Sequence, residues 1–352
     1  MRALVAMSGG VDSSVAAALM LEEGFDVVGV TLKQWEGADG SMPVAGCCTL
    51  SDAEDARRVA AQLDVPYYVL DYVEDFTAAV VEPFAEGYLN GLTPNPCIEC
   101  NRKVRFAALL DRTEELGCDV LVTGHHARVE QDGDAFRLRK AVDPTKDQSY
   151  VLHMLGQDAL SRVRLPVGEM TKNDVRAYAR EMGLRTAGKP DSQDICFVPS
   201  GDYRDFLRKQ LPETASTGDV VDMEGKVVGS HTGTAGFTIG QRKGLGVAVG
   251  EARYVVDIEP REQTITIGTL KDLLVDRFAA QEITFTDAPV VAGDRVAVKV
   301  RYRSNPVPAT VGTADGRWEF VFDDPQPKPA PGQAVVMYDG DYVLGGGVIV
   351  AA

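Results

Sequence analysis

Short apolar runs alternate with stretches of helical spacing through the first 200 residues of the chain. The apolar runs are RALVAMS, DVVGVTL, VPYYVLDY and CDVLVTGHH. The stretches with helical spacing are VDSSVAAALMLEEG, DAEDARRVAAQLD and FAALLDRTEELG. Strands that alternate with helices of about ten to fifteen residues indicate βαβ units. The pattern therefore predicts an α/β fold with a doubly wound parallel sheet, whose ligands bind at the carboxyl ends of the strands.

The pattern changes beyond about Gly201, where short β-rich runs are separated by Gly, Asp and Pro. Such runs predict two small β-rich or barrel domains. A chain of 352 residues is also too long for one ordinary core. We therefore expect an α/β domain over residues 1–200, a central β-rich domain over 201–272 and a C-terminal β-barrel over 273–352.

Composition and charge limit the class of protein. The chain is 45% apolar and 25% charged, which is typical of a globular protein, and no run approaches the roughly 18 apolar residues of a membrane helix. The N-terminus MRALVAMSGG lacks the features of a secretory signal, so we expect a cytoplasmic protein without a membrane partner. The net charge of −16 argues against a general nucleic-acid binder, because phosphate contacts need a positive surface.

The cysteines favour thiol chemistry or metal binding over a disulfide framework, given the expected compartment. The six cysteines are Cys47, Cys48, Cys97, Cys100, Cys118 and Cys196. In TPNPCIECNRK, Cys97 and Cys100 form a C-x-x-C pair that suits a zinc clip, a redox pair, a cluster ligand set or a nucleophile. A zinc site is disfavoured because the sequence supplies no second C-x-x-C or obvious H-x-x-H pair. We expect Cys118, at the start of an apolar strand, to lie in the core.

A phosphate-binding loop is predicted where the first strand meets the first helix. Met7 to Ser14 contains two glycines that permit a sharp turn, the hydroxyls of Ser13 and Ser14, and a helix N-terminus, and together these favour an anionic phosphate chain. The loop is not a Walker motif, since no Lys follows its glycines, and it lacks the G-x-G-x-x-G spacing. A tight turn before a capped helix is the structural alternative, but S-G-G-x-D-S-S at this junction favours phosphate binding.

SGGVDSS resembles the PP-loop of the ATP pyrophosphatases, and further blocks resemble one family, the tRNA-specific 2-thiouridylases. These blocks are TPNPCIECN, TGHHAR, KDQSYVL, DSQDICF, FTIGQRKGLG, RYR, PGQAVV and LGGG, in that order along nearly the whole chain. The resemblance implies an adenine nucleotide alpha hydrolase-like catalytic domain. It also implies adenylation of the C2 oxygen of the wobble uridine with pyrophosphate release, then sulfur transfer from a cysteine persulfide. The products would be 2-thiouridine and AMP.

The resemblance also implies roles for individual residues. Cys100 would be the nucleophile and Cys196 the persulfide carrier, whose sulfur attacks C2 or leaves as sulfide with formation of a Cys100–Cys196 disulfide. ATP with Mg²⁺ would contact Ala6, Met7, Ser8, Gly9, Gly10, Val11, Asp12, Ser13, Leu32 and Gly124. Asn95, Pro96 and Cys97 would touch the target base. Other tRNA contacts would be His125, Lys146, Asp147, Gln148, Arg301, Tyr302 and Gln333. A sulfur-relay protein or cysteine desulfurase would supply the sulfur.

Three alternatives stay open at this point. Some family members carry Asp, a proposed general acid or base, where this chain has Cys97, so the proton-transfer residue is unassigned. A [4Fe–4S] cluster with Cys97, Cys100 and Cys196 as its ligands is the alternative to a persulfide mechanism, and we favour the persulfide mechanism. A PP-loop amidating synthetase, and a nucleotide-binding or cluster-binding regulatory protein, are the rival functions.

Local basic segments reconcile an acidic chain with a tRNA partner. If DRVAVKVRYR is one strand, then Arg295, Lys299, Arg301 and Arg303 share a face. We expect this basic stripe, with NRKVR and QRK, to follow the tRNA backbone. We also expect Arg102, Lys103 and Arg105 to lower the pKa of Cys100 by their positive potential. His153 and His231 have no surrounding constellation and are predicted to be structural.

Overall fold

The computed structural model describes residues 1–36, 49–191, 195–198, 203–211, 216–247 and 250–351. We expect Cys47 and Cys48 to be small packing residues just before a capped helix, and both lie outside the described residues. In the described part of the chain, no helix combines the length and the apolar character needed to cross a membrane.

The structure contains strands throughout and helices mainly in the first 200 residues. The strands are β1 Arg2–Ala6, β2 Asp26–Lys33, β3 Tyr67–Asp71, β4 Val120–Thr123, β5 Ala127–Asp132, β6 Ala135–Lys140, β7 Val163–Arg164, β8 Gly218–Val221, β9 Val227–His231, β10 Tyr254–Glu259, β11 Thr264–Gly268, β12 Leu274–Phe285, β13 Arg295–Lys299, β14 Val307–Ala314, β15 Arg317–Pro327, β16 Ala334–Asp339 and β17 Tyr342–Ile349. The α-helices are α1 Val11–Glu22, α2 Leu50–Gln62, α3 Val73–Phe76, α4 Glu82–Leu89, α5 Pro96–Glu99, α6 Leu109–Glu115, α7 Gln157–Arg162, α8 Lys172–Glu181, α9 Tyr203–Gln210 and α10 Leu270–Leu273. Segments Thr77–Val81 and Cys100–Ala108 are π-helical, and short 3₁₀ turns lie at Ser149–Leu152, Pro166–Glu169, Arg185–Gly188 and Thr234–Gly236.

The first sheet is parallel, with the strand order β3-β2-β1-β4-β7. Alternate residues of β1 face opposite sides, so that Val5 joins a core under α1, α2 and α8, while Leu4 joins a second core under α4, α6 and α7. The prediction of a doubly wound sheet is therefore confirmed. The chain order reverses between β1 and β4, and the crevice beyond their carboxyl ends is where such sheets bind ligands.

Two β-rich modules follow the parallel sheet, as predicted. The first is a four-stranded sheet of order β10-β11-β8-β9. The second is a closed barrel of order β12-β15-β14-β13-β16-β17, completed by pairing of β12 with β17. Alternate barrel residues, including Phe278, Val298 and Phe320, fill its interior.

A hairpin within the first 200 residues was not predicted. Strands β5 and β6 pair through the turn at Gly133, and β6 also pairs with β17 where Arg139 faces Tyr342. The guanidinium groups of Arg137 and Arg139 lie 5.4 and 4.9 Å from the centre of the Tyr342 ring. The hairpin thus attaches the α/β part of the chain to the C-terminal barrel.

Candidate active site

The loop between β1 and α1 is shaped by glycine and by serine hydroxyls. Gly9 has a φ of +71°, and a Cβ atom there would lie 2.1 Å from the carbonyl oxygen of Asp52, so only glycine fits. The Ser13 hydroxyl accepts a hydrogen bond from the Ser8 N–H at 3.1 Å and donates to the Gly10 carbonyl at 3.2 Å. The loop therefore holds its backbone N–H groups at the N-terminus of α1, where they can bind an anion.

Gly124 brings the end of β4 against this loop. A Cβ atom at Gly124 would lie 2.6 Å from the backbone nitrogen of Ser13, so a larger residue would displace the loop. The other predicted ATP contacts flank the same strand ends: Ala6 and Met7 after β1, Val11 in α1 and Leu32 in β2. The structure brings these positions together at one edge of the sheet, while contact with ATP itself stays a prediction.

The Asp12 carboxylate contacts a lysine and a histidine from remote segments of the chain. The Lys172 ammonium lies 2.7 Å from each oxygen of the Asp12 carboxylate, and His126 Nε2 donates to Asp12 Oδ1 at 3.1 Å. Burial alone would raise the pKa of Asp12, but the hydrogen bonds from His126 and Lys172 outweigh burial and lower it. Asp12 is therefore held as an anion beside the loop.

A second carboxylate, Asp191, gathers three cations. Lys146 lies 2.7 Å from Asp191 Oδ2, while Arg176 and Lys172 lie 2.7 and 2.9 Å from Oδ1. Burial opposes ionisation, yet the hydrogen bonds from Lys146 and Lys172 bring the pKa of Asp191 to about 2. Lys172, only 8% exposed, thus joins Asp12 to Asp191 in one partly buried charge cluster.

Lys189 fixes the outer side of the phosphate loop. Its ammonium donates to the Gly9 carbonyl at 3.0 Å and lies 2.7 Å from both Asp52 and Asp55. Asp52 in turn accepts a hydrogen bond from the Thr49 N–H in the capping box of α2. The loop is therefore surrounded by lysines that the local sequence does not supply.

The C-x-x-C pair lies at the start of a long helix. The Asn95 side chain accepts hydrogen bonds from the N–H groups of Cys97 and Ile98 at 3.1 and 3.3 Å, and so caps α5. Pro96 occupies the first helical position, where its missing N–H costs nothing. Cys97 is exposed, whereas Cys100 is buried at the start of the π-helical segment. π-Helical turns are frequent at functional sites.

The cations beside Cys100 in the sequence are engaged elsewhere. Arg102 lies 3.8 Å from Glu99 and 3.6 Å from Glu282, and Lys103 lies 3.5 Å from Glu99. Arg105 contacts His125 Nε2 at 3.5 Å. The Cys100 sulfur accepts a hydrogen bond from Gln34 Nε2 at 3.3 Å. The structure thus gives no support to activation of Cys100 by Arg102 or Lys103.

Cys196 and Cys100 belong to the same core cluster. Cys196 is half-buried and packs against this cluster beside Phe197. The Phe197 ring lies 6.3 Å from Trp35 and 5.3 Å from Phe84, measured between ring centres. Trp35 follows Gln34, which donates a hydrogen bond to Cys100, so the segments next to the two thiols are in contact although the thiols are 96 positions apart in the chain.

Some predicted tRNA contacts are buried or already bonded in this structure. His125 is 6% exposed, and its Nδ1 lies 2.7 Å from the Thr123 hydroxyl. Burial, and then the charge of Arg105, lower the pKa of His125 to about 3, so the ring is neutral. Asp147 accepts hydrogen bonds from the Ala141 and Ser149 N–H groups at 3.1 and 3.2 Å.

Gln148 and Gln333 bind backbone groups rather than projecting freely. Gln148 Oε1 accepts from the His126 N–H at 2.8 Å. Gln333 Nε2 donates to the Thr93 carbonyl at 2.6 Å, and the Thr93 N–H donates to the Pro331 carbonyl at 2.7 Å. The C-terminal barrel thereby holds the loop that precedes Asn95.

The predicted basic stripe is wrong in its geometry. Strand β13 ends at Lys299, and residues 301–304 form a turn. Arg295 forms an ion pair with Asp323, and Lys299 lies 5.7 Å from the ring centre of Tyr302. Arg301 donates to the Ile239 carbonyl at 3.3 Å. The turn that carries Arg301, Tyr302 and Arg303 is exposed.

The three cysteines proposed as cluster ligands do not form a metal-binding group in this structure. Among the described residues, no three or more His, Cys, Asp or Glu side chains are close enough to hold one ion. The structure therefore gives no support to the [4Fe–4S] alternative for Cys97, Cys100 and Cys196.

Several site residues were missed by sequence reasoning. They are Gln34, His126, Lys172, Arg176, Lys189 and Asp191. Asp191 and His126 were the ones with a signal, because they lie in the DSQDICF and TGHHAR blocks that had already been singled out. The lysines carry no local motif, and only the fold shows that they surround the phosphate loop.

Comparisons with known proteins agree with this organisation. Family models match as a tRNA methyl transferase HUP domain over residues 1–200, a tRNA methyl transferase PRC-barrel domain over 204–269 and an aminomethyltransferase beta-barrel domain over 275–349. A tRNA-specific 2-thiouridylase MnmA of Chloroflexus aggregans is 48% identical over 98% of this chain and 97% of its own length. The protein of the same name from Geobacter metallireducens is 46% identical over 100% of this chain and 97% of its own.

A solved 4-thiouridine synthetase–RNA complex with bound ATP is similar at 19% identity and a TM-score of 0.37, over 60% of this chain and 50% of that one. This likeness is too weak to support a functional argument. The family-model descriptions name methyl transfer, whereas the curated relatives are named as thiolating enzymes.

Proposed function

Because the chain belongs to the family of tRNA-specific 2-thiouridylases, which are tRNA sulfurtransferases, we propose that it replaces the C2 oxygen of the wobble uridine by sulfur. The substrates are tRNA, ATP and a persulfide sulfur supplied by a sulfur-relay protein or a cysteine desulfurase. The observation that carries the proposal is that Cys100 accepts a hydrogen bond from Gln34, directly after β2 at the sheet edge that holds the phosphate loop, while Cys196 packs against the same core.

Adenylation is the first step. The uridine oxygen attacks the α-phosphorus of ATP, the bond to the β-phosphate oxygen breaks, and pyrophosphate leaves with the electron pair. The Ser8–Ser13 loop fits the phosphates because Gly9 and Gly124 let it pack closely against Asp52 and the end of β4, with its N–H groups at the start of α1. Lys172 lies beside this loop and supplies the positive charge that a Walker lysine would supply elsewhere. Asp12 is the carboxylate placed to hold Mg²⁺, which would neutralise phosphate charge when bound.

Sulfur transfer is the second step. The Cys100 thiolate attacks the Cys196 sulfur of the persulfide, a Cys100–Cys196 disulfide forms, and the outer sulfur leaves as HS⁻. The Cys100 sulfur is oxidised to the disulfide level, while the outer sulfur of the persulfide is reduced to HS⁻. HS⁻ then adds to C2 of the adenylated uridine, and AMP departs with the former carbonyl oxygen. A thiol reductant must reduce the disulfide before the next turnover.

The proposed tRNA contacts are assigned to predicted site residues whose side chains are exposed. Cys97 is exposed at the end of the capped loop, and Tyr302 is 39% exposed on the turn after β13. Cys97 is also one of the groups that raise the pKa of Tyr302, after burial and Asp147, which supports their proximity. We place the target base near Asn95, Pro96 and Cys97, and the tRNA backbone along the exposed turn of residues 301–303.

The test is nucleoside mass spectrometry of tRNA after incubation with ATP and a persulfide donor. We expect replacement of oxygen by sulfur in one uridine, dependent on ATP. Cys100→Ser and Cys196→Ser should abolish thiolation but still release pyrophosphate. Cys118→Ser is the matched control, because Cys118 precedes β4 at the opposite edge of the sheet from the phosphate loop, and burial raises the pKa of its thiol.

Each rival predicts a different product. An amidating synthetase would retain turnover in both cysteine variants, because nitrogen would be its nucleophile. A methyl transferase would add a methyl group without consuming ATP. A regulatory protein would bind ATP but release no pyrophosphate when tRNA is added. Any of these results would overturn the proposal.

A further inference from the structure

Gln34 is placed to act on the nucleophilic sulfur. It directly follows β2 and is 2% exposed, and Cys100 is 6% exposed. A buried amide needs hydrogen-bond partners, and Gln34 Nε2 donates to Cys100 Sγ at 3.3 Å. The contact joins residues 66 positions apart, so it is a product of the fold and not of local sequence.

The contact differs chemically from the activation that the sequence suggested. The ion pairs of Arg102 and Lys103 with Glu99 direct their charge away from the sulfur. An amide N–H adds no net charge, yet a hydrogen bond to a thiolate favours the anion over the protonated thiol. In a buried site such a bond is stronger than in water.

We propose that Gln34 is a catalytic residue for sulfur transfer, which donates a hydrogen bond to the Cys100 thiolate and increases the fraction of the thiol that is ionised. The proposal rests on the proposed function for its role in turnover. The thiolate so formed attacks the Cys196 persulfide as described above, with HS⁻ as the leaving group. The ionisation of Cys100, however, can be measured without any reaction on tRNA.

The physical chemistry predicts opposite effects at low and high pH. A hydrogen bond to a charged group shifts the pH midpoint of its ionisation by about one unit or more. At a pH below the midpoint, this is about a tenfold change in the fraction of the thiol that is ionised. A more basic thiolate is also intrinsically more nucleophilic, by about threefold per unit. Loss of the donor should therefore slow Cys100 by about threefold near neutral pH and speed it by about threefold in strong base.

The experiment measures alkylation of Cys100 by iodoacetamide between pH 6 and 10, by peptide mass spectrometry. Gln34→Leu keeps the approximate size but removes the donor, and Gln34→Glu replaces it with an acceptor. Both should raise the pH midpoint by about one unit or more, with the larger rise in the Glu variant. Exposed Cys97 in the same protein is the internal reference, and its midpoint should not change.

Single-turnover thiolation by Gln34→Leu should be slowed about threefold near neutral pH and recover as the pH rises. An unchanged Cys100 midpoint in Gln34→Glu would overturn the proposal, even if Gln34→Leu fails to fold or loses activity. A raised midpoint in a protein whose wild type thiolates no tRNA would support the role of Gln34 on the sulfur and refute only the proposed function.

Discussion

Replacing Lys172 with methionine tests whether the phosphate loop takes its cation from a distant helix. Lys172 contacts both oxygens of Asp12 at 2.7 Å and one oxygen of Asp191 at 2.9 Å. Methionine keeps most of the aliphatic stem, so the packing at the start of α8 is largely preserved. The perturbation is therefore mainly the loss of one buried positive charge.

The structure sets the size of the two expected effects. Removing one partner of a buried ion pair costs about 3–5 kcal/mol when the other charge is left alone. Here Asp191 keeps Lys146 and Arg176, and Asp12 keeps His126, so we expect a loss of about 2 kcal/mol in the free energy of unfolding. The loss of transition-state stabilisation should be larger, about 10²- to 10³-fold in the rate of pyrophosphate release.

The assay is pyrophosphate release at saturating ATP and tRNA, with urea denaturation as the measure of stability. Lys146→Met is the matched control, since it removes the same charge from Asp191 without touching Asp12. We expect its rate of pyrophosphate release to exceed that of Lys172→Met by at least about tenfold. Equal rates for Lys172→Met and the wild type would refute the assignment of Lys172 to the phosphates.

Three further predictions concern other parts of the molecule. Gln333→Leu removes the donor to the Thr93 carbonyl and should slow single-turnover thiolation at saturating tRNA about fivefold to tenfold, with little change in the Kd for tRNA. A higher Kd with an unchanged rate would instead identify Gln333 as a tRNA contact. Charge reversal of Arg301 and Arg303 should weaken tRNA binding in filter-binding assays. The slope of the logarithm of the binding constant against the logarithm of the salt concentration should become shallower by about 0.7–0.9 per lost phosphate contact. Unchanged affinity would refute the contact between this turn and tRNA. Burial lowers the pKa of His153 to about 4, so between about pH 6.5 and pH 4 the unfolded chain takes up a proton that the folded protein excludes, and the free energy of unfolding falls as the pH drops. His153→Leu should reduce the slope of this free energy against pH by about 1.4 kcal/mol per pH unit, as measured by urea denaturation. An unchanged slope would contradict the burial argument.

The phosphate loop could be predicted because its signals are local. Two glycines, three serines and a helix start lie within one short segment, and the structure folds them into one turn. The alternation of strands and helices likewise predicted the parallel sheet. These features depend on backbone conformation and periodicity, which neighbouring residues determine.

The charge cluster could not be predicted, because its members meet only through tertiary structure. Asp12 and Lys172 are 160 positions apart, and a single lysine or aspartate in a sequence carries no pattern. The neighbours of Cys100 show the converse error. Arg102 and Lys103 are adjacent in sequence, but a helix directs them to Glu99 one turn earlier.

The basic stripe failed because alternation alone does not end a strand. Pairing of β13 with β14 stops where Val298 faces Val307, and the chain between them must turn. The segment contains Ser304, Asn305 and Pro306, which are typical turn residues. The prediction extended the strand by following charges, whereas its length was limited by the partner strand.

The C-terminal barrel also holds the segment that leads to Cys100. Thr93 is held through its N–H by Pro331 and through its carbonyl by Gln333, and its hydroxyl lies 3.5 Å from that of Thr238. The cap at Asn95 follows two residues later, so both β modules contribute to the position of the helix that carries Cys100. Since a displacement of about 1 Å at a reacting group can cost about a hundredfold in rate, these contacts can affect sulfur transfer without touching any sulfur atom.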